Sequence, residues 1–355
     1  MADLVIAAMV TLGTLIVLAL VHELGHFFMA RRLGIQVEEL GLGFPPRLLS
    51  IKRSGTVYSI NALPLGGFVK LSGEIDSTVP GGMASRGIPA RLGVLIAGSL
   101  MNAIFPILLF SIAYMIPHRL LVETLVVAEV IPDSPAALTG IQVGDKITQV
   151  EWSTIHNLQD LRFRIYVNLG RQIDFTVMHP DKTIAHLQLI PRWRAPEDDT
   201  ATGMVVVSVN PQKIERRCAF WQAVPLGLSE TIDSFMAFKN AFVSMLLKIT
   251  PVVLTGPVGL TQIVGEMTKS GLYAIFQFAA FLSVNLAIIN MFPLPALDGG
   301  RVAFLVLEWV RRGRRISAKA EGLIHGIGFA LLIAAVAIIT YQDVLSALHG
   351  GSPLK

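Results

Sequence analysis

The chain has 355 residues, 53% of them hydrophobic and 15% charged, with a formal net charge of +4 and a mean hydropathy of +0.61. That balance excludes an ordinary soluble protein. A single cysteine, Cys218, excludes an internal disulfide framework and a cysteine-rich zinc site, and is read as a small buried apolar residue.

Four stretches reach the roughly 20 residues needed to cross a hydrocarbon core of about 30 Å. They are Leu4–Val21 continuing into Ala30, Leu92–Pro117, Gly271–Leu297 and Gly322–Gln342. The first has no basic start and no small-residue cleavage site, so it is read as a retained span rather than a secretory signal. It runs directly into His22-Glu-Leu-Gly-His26. Histidines four apart share one helix face, so both imidazoles can reach one metal ion, and Glu23 can serve as general base toward a water on that metal. At 1.5 Å per residue the two histidines lie roughly 8–14 Å inside Arg31. The bland alternative is that His22 and Glu23 close the end of the span and snorkel to water. Ionisable groups in an apolar helix are costly without partners or a function, which favours the metal.

The loop at 31–91 carries Arg31, Arg32, Arg47, Lys52, Arg53, Lys70, Arg86 and Arg91. The loop at 298–321 carries Arg301, Arg311, Arg312, Arg314 and Arg315. Basic loops beside spans are expected to face the cytoplasm and anionic lipid rather than nucleic acid. Four spans then place both termini and the segment between spans two and three on the outer side. Gly41-Leu-Gly-Phe44 spells a peptide-binding loop, but it sits among these basic residues, followed by two prolines, and is read as coincidence.

Between spans two and three the composition turns soluble. Val122–Ile131 is rich in β-branched residues and predicts a strand. Ser134 and Pro135 open a short helix that Gly140 ends. A strand is predicted at Lys146–Val150. A helix presenting Leu158, Leu161, Ile165 and Leu169 on one face follows cap residue Asn157 and can stop at Gly170. Strands at Ile173–Met178 and Thr183–Ile190 flank a Pro180-Asp181 turn. Residues 194–218 read as a polar linker, and Phe220–Lys248 as an amphipathic helix at a membrane surface. Ile249–Gly265, broken by Pro251, Gly256, Pro257 and Gly259, reads as a re-entrant or surface segment rather than a fifth span.

A catalytic zinc takes three protein ligands and leaves one position open. Span three ends in a run from Asn285 to Arg301 in which Pro293 and Pro295 must break the helix and Asp298 is the first charge. Asp298 is therefore the candidate third ligand, a role compatible with capping the helix that follows. His325, in span four, is read as a packed histidine, and His118, His156, His179 and His186 lack ligand spacing.

The run from Ser134 to Trp152 resembles a PDZ domain of the bacterial type. More broadly, HELGHFFMARRLGI, FVKLSGE at 68–74, Gly98 to Asn102, GPVGL at 256–260 and NMFPLPALDGG resemble, in order, the site-2 protease family. The match is to its PDZ-bearing bacterial intramembrane zinc metalloproteases. The resemblance implies a polytopic α-helical membrane protein of about four spans with a membrane-associated β-hairpin and one inserted α+β PDZ domain. It divides the chain into a catalytic half (1–120), the PDZ domain (121–193), a linker with an amphipathic or re-entrant segment (194–270) and a second catalytic half (271–355). It implies one Zn²⁺ held by His22, His26 and Asp298, with Glu23 as catalytic base. It also implies substrate contacts from Asn285 and Asn290, and a hairpin at Tyr58–Lys70, with Gly66 and Gly67, that presents substrate. Expected partners are single-pass membrane proteins of the anti-sigma factor or remnant signal peptide type, peptide ends at the PDZ domain, and membrane lipids; nucleic acid is not expected. The expected location is the bacterial inner membrane. Many relatives carry two PDZ domains, and this chain has room for one. Two other classes were weighed: a catalytically inactive adaptor, which has no need of a base beside two ligands, and a metal transporter, whose ligands would spread along a pathway.

Overall fold

The computed structural model describes residues 2–74, 76, 78–194, 200–249 and 256–348. The chain forms two compact units, one from Met1–Ala113 with Leu254–Lys355 and one from Tyr114–Val253.

Helix α1 (Ala2–Arg32) is followed by strands β1 (Val37–Arg53) and β2 (Thr56–Leu71), then helix α2 (Ile88–Met115). The turn between the strands is Ser54-Gly55, both at positive φ, as a tight two-residue hairpin requires. This corrects the expected hairpin at Tyr58–Lys70, which is a single strand, with Gly66-Gly67 a bend within it. Both strands fold back on themselves: Leu40 lies opposite Val69 on one side and Tyr58 on the other, while Tyr58 also faces Ile51. The run 67–71 therefore forms one edge of the sheet and 49–53 the other.

The second unit holds β3 (His118–Val130), α3 (Pro135–Thr139), β4 (Lys146–Val150), β5 (Ser153–Thr154), α4 (Leu158–Val167), β6 (Ile173–Met178), β7 (Ile184–Leu189), β8 (Met204–Arg216) and α5 (Phe220–Leu246). The sheet runs β7-β6-β4-β3-β8, with β5 on β4. Ser134 caps α3 by accepting from the Ala137 amide, and Gly140 ends it at φ 87°. Asn157 caps α4, which stops at Asn168 rather than Gly170. Leu125, Val127, Ile147, Leu161, Phe175 and Val177 form the core. Strand β8 replaces much of the linker expected at 194–218. Val205, Val206, Val207 and Val209 are β-branched strand formers, but the polar and charged residues from Asn210 to Arg217 read as linker; pairing with β3 from Met204 to Arg216 holds the whole run as a strand. Helix α5 forms as expected, with Arg164 of α4 paired to its Glu230 and Asp233.

The chain returns to the first unit as α6 (Pro257–Lys269), α7 (Leu272–Asn290), α8 (Asp298–Val310) and α9 (Ala318–Leu348). The question of Ile249–Gly265 falls partly outside the described residues. The helix seen there, α6, has 13 residues, about 20 Å at 1.5 Å per residue, too short to span. Its Gly259 amide donates to the Asp343 carboxylate on α9 at 2.8 Å. Among the described residues, four helical segments are long and apolar enough to cross a membrane: Val5–Arg32, Ile88–Met115, Leu272–Asn290 and Ala318–Ser346. They match the four predicted spans, with ends shifted by a few residues.

Candidate metal centre

One span, α1, and the first residue of α8 supply the three side chains of the centre. On α1, His22 and His26 stand one turn apart with their Nε2 atoms 3.1 Å from each other. The Asp298 Oδ2 lies 3.0 Å from His22 Nε2 and 3.1 Å from His26 Nε2. Among the described residues this is the one group of three such side chains with ligand atoms mutually that close. Both imidazoles are buried.

His26 Nδ1 lies 2.8 Å from the Val94 carbonyl of α2. A carbonyl can only accept, so Nδ1 carries the proton and Nε2 presents a lone pair inward. The Asn290 Nδ2 lies 3.4 Å from His22 Nδ1; with that amide turned over, its oxygen accepts from Nδ1–H when His22 Nε2 is the ligating atom. The Asp298 Oδ2 is buried and makes no hydrogen bond of its own. Three electron-pair donors thus converge with no proton between them, an arrangement a divalent cation resolves. Tetrahedral zinc with bonds of about 2.0–2.1 Å separates its ligands by about 3.3–3.4 Å. The observed spacing is close to that, and the residues fit zinc.

Local sequence explains the approach of these elements. A side chain at Gly25 would collide with the Ala97 carbonyl, and one at Gly98 with both imidazoles, so α1 and α2 meet without side chains there. Helix α7 stops at Asn290, ahead of Pro293 and Pro295, and the chain re-enters a helix at Asp298. Gly299 and Gly300 press against the backbone of Met291, Phe292 and Leu294, which leaves no room for a Cβ. Leu297, not Asp298, occupies the N-cap of α8. The cap role considered for Asp298 is therefore replaced: its carboxylate points to the imidazoles. His325 is packed as expected, against Phe304, and its Nδ1 accepts from the Ala296 amide at 2.9 Å.

Glu23 faces a cavity of about 360 Å³ lined also by His26, Phe68, Val69, Lys70, Glu74, Asp298 and Arg301. The Val69 backbone hydrogen-bonds to its carboxylate, and Gly67 lies against its Cγ. The β2 edge therefore passes beside the candidate base. Gly66, at φ 134°, sits at the bend near Phe44 and Ala19. Asn285 bonds the Phe281 carbonyl of its own helix at 2.9 Å and does not join the centre. Sequence reasoning missed Val94, which acts through its backbone and leaves no side-chain signature. It also missed the pairs Glu74–Arg301 and Arg91–Glu308; Gly98 had appeared only as part of a spacing pattern.

Residues 10–335 match the family model described as peptidase family M50. The chain belongs to peptidase family M50, the site-2 proteases. A Clostridium acetobutylicum protein carrying a zinc metalloprotease name is 32% identical over 350 residues, covering 97% of this chain and 98% of that one. A similarly named Clostridium perfringens protein is 31% identical over 334 residues, covering 92% and 95%. The regulator of sigma-W protease RasP of Bacillus subtilis is 26% identical over 431 residues, covering 96% and 98%. This M50 protein is a zinc metalloprotease of the site-2 family, and its four apolar helices make it an integral membrane protein.

Proposed function

We propose that this M50 protease cleaves peptide bonds in or beside the transmembrane segments of single-pass membrane proteins, such as anti-sigma factors or remnant signal peptides. The observation that carries the reading is a three-ligand centre on apolar helices with Glu23 in the adjoining cavity. The RasP relative, named as a regulator of sigma-W protease, supports the substrate class.

When bound, zinc supplies a Lewis acid that polarises the scissile carbonyl and acidifies the attacking water. His22, His26 and Asp298 hold it, with Val94 and Asn290 orienting the imidazoles. Glu23 accepts the proton of the attacking water and delivers it to the leaving amine. A helical substrate hides its peptide bonds, so it must enter extended. The free edge at 67–71, with Gly66 and Gly67 leaving the backbone uncovered, would pair with it as an added strand. Asn285 and Asn290 would contact that strand. Residues 121–193 are proposed to form a PDZ-type module that binds extracytoplasmic chain ends. The basic loops would face the cytoplasm, with both termini and the module outside.

The test is incubation of wild type and Glu23→Gln with a panel of tagged single-span proteins, followed by mass spectrometry of the cut site. Glu23→Gln should keep its zinc and lose at least about 10²-fold in turnover; undiminished cleavage by that variant rejects the base. A metal-free wild-type protein that binds extracytoplasmic peptides but cuts nothing would favour the inactive adaptor instead.

A further inference from the structure

We propose that the ion pair between Glu74 and Arg301 positions Asp298 for zinc. The inference rests on the assignment of His22, His26 and Asp298 as the ligands. Arg301 follows Asp298 by three residues on α8, so both side chains leave the same face of its first turn. The Arg301 guanidinium pairs with the Glu74 carboxylate, which lies in the turn after β2. Glu74, Arg301, Asp298 and Glu23 line one cavity. The pair therefore joins two separately built walls: the start of α8, which carries the acidic ligand, and the segment leaving the strand edge that touches Glu23.

The body of α8 is held by Leu305 and Val302 in the core and by Phe304 against His325, but its first turn has fewer ties. Its N-cap, Leu297, makes no side-chain capping bond. Gly299 and Gly300 set how closely the helix start approaches the 291–295 backbone, but they have no side chains to oppose rotation about the helix axis. At the far end, the buried pair Arg91–Glu308, with side chains 9% and 10% exposed, anchors α8 to α2. Arg301 projects away from the axis, and its tie to Glu74 opposes that rotation at the ligand end. The side chains of Arg301 and Glu74 are 42% and 27% exposed, so water screens the pair and its net stabilisation is small. Its consequence is directional, and a displacement of about 1 Å at a reacting centre can cost on the order of 10²-fold.

The test uses the full chain in detergent. Zinc affinity is read by chelator competition, kcat and KM on a substrate from the panel above, and folding by the thermal midpoint. The variants are E74Q, R301K, E74R, R301E and the double reversal E74R/R301E. Each single reversal should weaken zinc binding by about 10–100-fold, the range for groups that orient metal ligands. The kcat should fall with it while KM and the thermal midpoint stay at wild-type values. E74Q should show a smaller loss of the same kind, R301K should retain most of the affinity, and the double reversal should recover much of what the singles lose. Wild-type zinc affinity in E74Q and E74R, or a double reversal as weak as the singles, overturns the proposal. If the reversals lower the thermal midpoint, E74Q and R301K decide: a folded E74Q with wild-type affinity overturns it. His22→Ala separates the two readings. Zinc retained by that variant means the ligand assignment has failed; zinc lost there but kept in E74Q means only the positioning role has.

Discussion

Both units of this protease bury apolar and polar residues, and they differ in what their surfaces expose. In Tyr114–Val253, Phe175, Val177, Leu125 and Ile173 are inside. In the unit with the four long helices, Val5, Met9, Leu331 and Ile338 lie on the surface, while His22, His26, Arg91, Asn102 and Glu308 are inside. Water drives apolar groups inward in the first case. A hydrocarbon surround removes that drive, so the outer faces can be apolar and the interior is free to hold polar groups, provided they have partners or a task. The metal centre is where the interior uses that freedom.

Five substitutions test this contrast, one of them a control. His26→Ala should abolish zinc binding by the purified protein while leaving hydrogen-exchange protection of the Phe175 strand unchanged; altered protection there would mean the two units do not respond separately. Arg91→Ala should destabilise the unit that holds the spans by about 3–5 kcal/mol, because Glu308 is left buried near one remaining partner, Arg315. Thermal unfolding checks this, and a loss near zero would show that water reaches the pair. Gly98→Ala should cost about 1–3 kcal/mol through overpacking and weaken zinc binding, since the new methyl meets both imidazoles. Gly13→Ala, with open space around it, is the matched control and should do neither. The smallest effect is Ser134→Ala, which removes the α3 cap and should cost about 1 kcal/mol of module stability; unchanged urea unfolding of that module would show the cap contributes nothing.

Legibility followed the range of the interactions. The spans, the Ser134 and Asn157 caps, and strands such as Lys146–Val150 and Ile173–Met178 were readable because hydropathy and capping act over a few residues. The hairpin was misplaced because Gly66-Gly67 reads as a turn as readily as Ser54-Gly55; only the positive φ at both Ser54 and Gly55, with the pairing of Arg53 and Thr56, marks the true one. Strand β8 was missed because its partner, β3, lies more than seventy residues earlier, and the alternating Val205, Val207 and Val209 were outweighed by the polar residues that follow them.

At the centre, the sequence by itself determined the chemistry. His22 and His26 share a face because α-helical periodicity puts them there, Glu23 stands beside them, and an acidic residue after two helix-breaking prolines supplies a third donor. Only the packing of the helices brings Asp298 to those imidazoles, 272 positions after His26, sets the His26 tautomer through Val94, and ties Glu74 to Arg301. Those contacts are set by how helices pack, through backbone carbonyls and glycine surfaces that no local pattern encodes.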